Sequence, residues 1–226
     1  MLRPRKKLTK REIKKDPFLE KLAKLEAFVR GHSKVVSYVA LGVVAAVVII
    51  VLVVNSKQRA SREASGELGL AELAIARKDY DDAIVRLMGI VDKYRGTKSA
   101  SIAVLLLGQC YMYKADYDNA LSYYTMYMDK YKNDKFLTAT AYNGIGICKE
   151  AQGDYKEAAK FYNLAAVESP YRFQKHEYLL NYAEMLLATG DVQEARNVVD
   201  NVLEDKVEYS IKERAEILVG KIKASR

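Results

Sequence analysis

The sequence predicts an all-α chain: a single N-terminal transmembrane helix, then an α-solenoid of about four helix-turn-helix repeats closed by a C-terminal capping helix. Three observations predict it. Residues 35–54, VVSYVALGVVAAVVIIVLVV, contain no charge and no Pro. Beyond them, one residue pattern recurs four times at intervals of 37 or 38 residues. After the fourth recurrence, a last apolar stripe has helical spacing. The expected organisation is a basic tail (1–34) with an amphipathic helix over about 17–30, a transmembrane helix (35–54), a linker (55–63) and a repeat domain (64–226).

The span comes first. At about 1.5 Å per residue, twenty helical residues reach roughly 30 Å, the thickness of a bilayer's hydrocarbon core. Fourteen of the twenty are Val, Ile or Leu. At about −0.3 to −0.6 kcal/mol each, they favour insertion by about 4 to 8 kcal/mol, more than Ser37 and Tyr38 oppose. Residues 1–34 carry twelve Lys or Arg against four acids, whereas the remainder balances at twenty-five of each. The net charge of +8 therefore belongs to the tail, which argues against a nucleic-acid-binding face on the large domain. A basic segment before a lone span also places the N-terminus in the cytoplasm by the positive-inside rule. The apolar run exceeds the ~7–15 residues of a cleaved signal peptide, so an uncleaved signal anchor is expected. No Cys near the N-terminus supports a lipoprotein anchor.

Within the tail, residues 1–15 read as a solvated charge run, with Thr9 and Glu12 spaced to cap a short turn. Asp16 suits an N-cap and Pro17 the first helical position. Phe18, Leu22, Leu25 and Val29 then form one apolar stripe, flanked by Lys21, Lys24 and Arg30, and Gly31 can end the helix. This stripe either lies on an anionic inner leaflet, docks on a cytoplasmic partner helix, or only helps set topology. In the span, Gly42 and Ala46 have the small-xxx-small spacing of a homodimer contact. Residues 55–66, NSKQRASREASG, are either a linker or a helical continuation of the span.

The repeats are expected over about 64–97, 101–134, 139–172 and 176–207. Ala83, Ala120, Ala158 and Ala195 occupy one column. Four residues earlier stand Asp79, Asp116, Asp154 and Asp191; twelve earlier stand Ala71, Gly108, Gly146 and Ala183. Each Asp is placed to cap the second helix of its unit, and Asp154–Glu157 and Asp191–Glu194 have capping-box spacing. Gly153 and Gly190 suit the left-handed stop of a first helix. Lys78 and Ala115 hold that place in the first two units, where strained or differently shaped turns are expected. The small residues let paired helices approach, Gly108 against Ala120 and Gly146 against Ala158. Ser210 and Glu213 have the spacing to cap a last helix over 210–223, with Ile211, Ala215, Leu218 and Ile222 on its buried stripe. Cys110 and Cys148 fall at equivalent places in successive units, about 8–10 Å apart and beyond the roughly 7 Å reach of a disulfide.

On these columns the chain resembles the tetratricopeptide repeat (TPR) family over about 64–207, best in AYNGIGICKEAQGDYKEAAKFYNLAAVESP with Pro170 closing it. The family's geometry implies a concave protein-binding groove lined by the first helix of each unit. Its side chains would be Ile102, Leu105, Gln109, Met112 and Tyr113 from the second unit, and Thr140, Asn143, Ile147 and Glu150 from the third. The fourth would add Glu177, Leu180, Glu184 and Leu187. This surface is apolar with few cations, which disfavours carboxylate capture and favours an apolar segment of a partner protein. Of the seven tyrosines from Tyr111 to Tyr131, Tyr113, Tyr123 and Tyr131 lie off the packing columns.

No motif calls for catalysis, a cofactor or a metal: His32 and His176 lack partners at ligand or triad spacing, and the acids are dispersed. The order of basic tail, span and repeat array resembles the YfgM-like family of ancillary SecYEG translocon subunits. That resemblance implies a single-pass protein of the bacterial inner membrane with its repeat domain in the periplasm. It would act as an adaptor or chaperone-like binder of envelope proteins at the Sec translocon. The alternative is a repeat scaffold for envelope assembly or cell division, similar in its repeats to CpoB or BamD.

Overall fold

A computed structural model describes residues 17–132 and 134–224, and every regular element among them is an α-helix. Two units separate, residues 1–57 and 58–226.

In the first unit, α1 (Pro17–Gly31) is followed after one residue by α2 (Ser33–Ala76), of which residues 33–57 belong to this unit. The His32 amide donates to the Phe28 carbonyl at 3.0 Å, and its ring stacks on Phe28 at 4.7 Å. Phe18, Leu22, Leu25 and Val29 are all exposed. The apolar stretch of α2 is long enough to cross a membrane, with a mean hydropathy of 3.0 and none of it buried. Gly42 has open space around it. Residues 55–63 are helical as part of α2. Thr9, Glu12 and Asp16 lie outside the described residues.

The second unit is a right-through stack of helix pairs. The end of α2 packs its Ala64, Leu68, Ala71 and Ala74 against α3 (Tyr80–Lys93) and α4 (Lys98–Tyr113). Then come α5 (Tyr117–Lys130), α6 (Lys135–Ala151), α7 (Tyr155–Glu168), α8 (Arg172–Thr189), α9 (Val192–Glu204) and α10 (Tyr209–Ala224). The pairs α2/α3, α4/α5, α6/α7 and α8/α9 are the repeats, and α10 covers the last pair. Ile211, Ala215, Leu218 and Ile222 of α10 are buried against Leu180, Ala183, Val199 and Val202.

The caps follow the Asp column with one exception. Asp79, Asp116 and Asp154 accept from the amides of Asp82, Asn119 and Glu157 at 3.2, 3.2 and 3.3 Å. The Asn119 amides hold the Asp116 carboxyl below the usual carboxylate range. Asp191 caps no amide; its carboxylate instead accepts from Thr189 Oγ1 at 3.0 Å. The spacing that placed a cap at Ser210 is also corrected: α10 begins one residue sooner, at Tyr209, so Ser210 lies inside the first turn. Thr97 and Asp134, unread in the sequence, cap α4 and α6 at 3.1 Å each.

The first helix of every repeat stops through a left-handed residue: Lys78 at φ 62°, Ala115 at 57°, Gly153 at 78° and Gly190 at 87°. A side chain in this conformation costs roughly 1–2 kcal/mol, of which Gly returns about 0.4–1 through its freer unfolded state. Lys78→Gly and Ala115→Gly should each therefore stabilise the solenoid by about 0.5–1 kcal/mol, read as a raised midpoint in urea unfolding.

The small-residue column works differently from the Gly–Ala pairing expected of it. A Cβ on Gly108 would lie 2.8 Å from the Tyr124 ring, and one on Gly146 would lie 2.8 Å from the Tyr162 ring. The ring one helical turn past each Ala fills the glycine's empty side-chain space, so ring and glycine, not Ala and glycine, make the closest approach. Tyr124 also fills the space over Gly144, where a Cβ would come within 2.4 Å. Cys110 and Cys148 are buried and unpaired to each other, and burial pushes both thiols up to about 11.

Candidate functional site

An apolar cleft of about 280 Å³ opens between α4 and α6, the first helices of the second and third repeats. Residues at i, i+3, i+4 and i+7 share one face of a helix. This puts Ile102, Leu105, Leu106, Gln109 and Met112 on the α4 wall. The opposite wall is Phe136, Leu137, Thr140, Asn143 and Ile147 of α6. Tyr124 closes the floor from α5, beside Gly144. Its hydroxyl donates to Met112 Sδ at 3.6 Å, and burial raises its pKa.

The cleft thus gathers Ile102, Leu105, Gln109, Met112, Thr140, Asn143 and Ile147. Tyr113 stands apart: it is exposed, stacks on Tyr80 at 5.0 Å and accepts a hydrogen bond from Gln109 Nε2 at 3.0 Å. Tyr123 and Tyr131, the other off-column rings, are half-buried and stack on Tyr111 and Tyr127 at 5.4 and 6.3 Å.

A second, more polar hollow of about 650 Å³ holds Glu150, Glu184 and Leu187 together with Lys221 of α10. Glu150 accepts from Tyr162 Oη at 2.5 Å. Burial, then this bond, holds the phenol protonated far above its ordinary range. Glu184 is paired with Arg214 at 2.7 Å and with Lys221 at 3.6 Å. Arg214 also donates to Asn181 Oδ1 at 2.6 Å, and Asn181 Nδ2 donates to Asn143 Oδ1 at 3.3 Å. A continuous polar chain therefore runs from the cleft's Asn143 to the terminal helix. The sequence projection, confined to the first helices of the repeats, missed the two cations that α10 adds.

Leu180 has no place on this surface, contrary to the projection. It is 0 % exposed, enclosed by α9 and α10. The projection carried the column of Leu105 and Asn143 into the fourth repeat; here α9 and α10 cover that position. Glu177, two turns from the second hollow, lines neither recess. The projection also overlooked Leu106, Phe136, Leu137, Tyr124 and Gly144. Phe136 and Leu137 sit in the first turn of α6, and the Asp134 cap that fixes the start of that helix would have revealed them.

No protein in the curated set matched the sequence. Residues 98–166, α4 through most of α7, match the tetratricopeptide repeat family model. Among solved structures, the apo form of RapI is 15% identical with a TM-score of 0.65, over 72% of this chain and 48% of RapI. The chain thus spans about half of RapI's length. The nearly identical TPR-like repeats of a kinesin-light-chain-type protein from Podospora anserina are 15% identical with a TM-score of 0.55. That alignment covers 74% of this chain and 95% of the other. At such identities the likeness shows the fold alone. The helix pairs, their left-handed stops and the sequence match converge on one conclusion: the chain is an all-α protein with a TPR-like solenoid, a protein-interaction scaffold whose second and third repeats carry the family's own sequence pattern.

Proposed function

We propose that this chain is a membrane-tethered interaction module that holds an apolar segment of a partner protein in the cleft between α4 and α6. The observation that carries the binding part is the cleft itself. Its two walls bring Ile102, Leu106, Met112, Phe136 and Ile147 to one opening, with Gln109, Thr140 and Asn143 spaced among them to meet a partner's backbone. Met112 and Phe136 are adaptable contact groups for varied side chains. The exposed apolar stretch of α2 supports the tether. The cation-rich tail supports an N-terminus in the cytoplasm and a solenoid across the membrane. Tethering raises the solenoid's effective concentration near membrane partners, so contacts of modest affinity suffice. A place beside the Sec translocon, as an adaptor or chaperone-like binder of exported chains, is supported by the order of tail, span and array.

A photoreactive residue at Met112, with a second at exposed Val167 of α7 as control, tests this in intact cells. Crosslinks are expected from Met112 and not from Val167, and Ile102→Glu with Ile147→Glu should abolish them. Equal crosslinking from both positions, or crosslinks indifferent to the two substitutions, would remove the cleft as the binding site. Translocon subunits or exported chains among the products support the adaptor role; envelope-assembly or division proteins support the scaffold alternative.

A further inference from the structure

We infer that α1 is an interfacial helix that lies on the anionic face of the bilayer, with its Phe18–Leu22–Leu25–Val29 stripe sunk among the headgroups. This rests on the reading of α2 as a span and adds a second, separate lipid contact. Three observations meet in it. First, at about 100° per residue the four stripe residues fall within an arc of roughly 60° along 15 residues of helix, and all four are exposed.

Second, connectivity leaves α1 little choice of surroundings. Gly31 ends it four residues before Val35, where the apolar stretch begins, a path of only about 6 Å along a helix. A helix joined that closely to a span starts within the headgroup layer. Third, the charge matches an anionic surface. The two acids of α1 are each tied to a cation one turn on, Glu20 to Lys24 at 3.2 Å and Glu26 to Arg30 at 2.6 Å. The helix's own negative charge is thus neutralised locally, and residues 1–34 keep their excess of twelve cations over four acids. Such an excess attracts anionic lipid within a Debye length, while the stripe supplies the apolar area that holds a helix in the interface plane.

The chain contains no Trp, so one introduced Trp reports its own surroundings. Leu25→Trp on the stripe, Ala27→Trp on the opposite side of α1 and Val47→Trp in α2 are each made in the full chain. Each is reconstituted into phosphatidylcholine vesicles with or without phosphatidylglycerol. The Val47→Trp emission should be quenched by brominated acyl chains in both lipids. With phosphatidylglycerol, Leu25→Trp should be blue-shifted and several-fold less quenched by acrylamide than Ala27→Trp, and the difference should shrink without it. If Val47→Trp is quenched by bromolipid but Leu25→Trp and Ala27→Trp are equally open to acrylamide, the interfacial helix is overturned while the span stands. Shielding of Leu25→Trp that is the same in neutral lipid overturns the anionic preference. An unquenched Val47→Trp overturns the span and this inference with it.

Discussion

Leu180→Glu is expected to unfold the fourth repeat and α10 together, lowering stability by about 4 kcal/mol or more. The side chain is fully enclosed by Ala183, Val199, Val202, Ile211 and Leu218. Replacing it removes about 1.5–3 kcal/mol of apolar burial. Placing a carboxylate there adds several kcal/mol more, because a buried charge without a partner loses its hydration and gains nothing back. Arg214 and Lys221 of α10 are already engaged with Glu184 and Asn181. Leu180→Met keeps volume and polarity and should cost less than about 1.5 kcal/mol. Urea unfolding of the full chain, followed by far-UV circular dichroism, reads both. Limited proteolysis should show new cleavage beyond residue 171 in the Glu variant only. A Leu180→Glu protein with an unchanged midpoint would return this residue to the surface.

Gly144→Val should cost about 3 kcal/mol, although valine in a helix is otherwise preferred to glycine. The reason is the Tyr124 ring, 3 % exposed and wedged over Gly108 and Gly144 at once. Even the first added carbon at 144 would sit 2.4 Å from the ring, well inside contact distance. The ring cannot swing clear without opening a void between α4 and α6. Tyr124→Ala should cost about 3–5 kcal/mol by leaving such a void. The pair together should cost less than the sum, with a coupling of about 0.5–3 kcal/mol, because the valine then enters space the ring has left. Additive losses in that cycle would show that ring and glycine do not compete for one volume.

What the sequence made legible was what repeats. The Asp column, the left-handed stops and the small-residue column each appear four times, and repetition separates a helix boundary from an accidental Gly or Asp. The stripe of α10 was legible for the same reason as any amphipathic helix: Ile211, Ala215, Leu218 and Ile222 keep a helical period. What was not legible was which neighbour each face meets. Leu180 holds the same repeat position as Leu105 and Asn143, yet those two line the cleft while Leu180 is enclosed, because α10 packs over the fourth repeat. Likewise Gly108 was readable as a point of close approach, but not as the seat of a ring from Tyr124, sixteen residues away. Arg214 and Lys221 escaped notice because they belong to a helix outside the repeat and follow no column.

The doubly seated Tyr124 has a mechanical consequence. One phenol ring fills gaps in two successive repeats, so neither can pivot on the other without expelling it, and the pitch of the superhelix is clamped at that junction. At the next junction the position equivalent to Gly144 is Asn181, whose amide donates to Asn143 Oδ1 at 3.3 Å, so a side-chain hydrogen bond stands where the seated ring stood. The mouth between α4 and α6 is therefore held open at a fixed width by the ring at its floor, which props both walls at once.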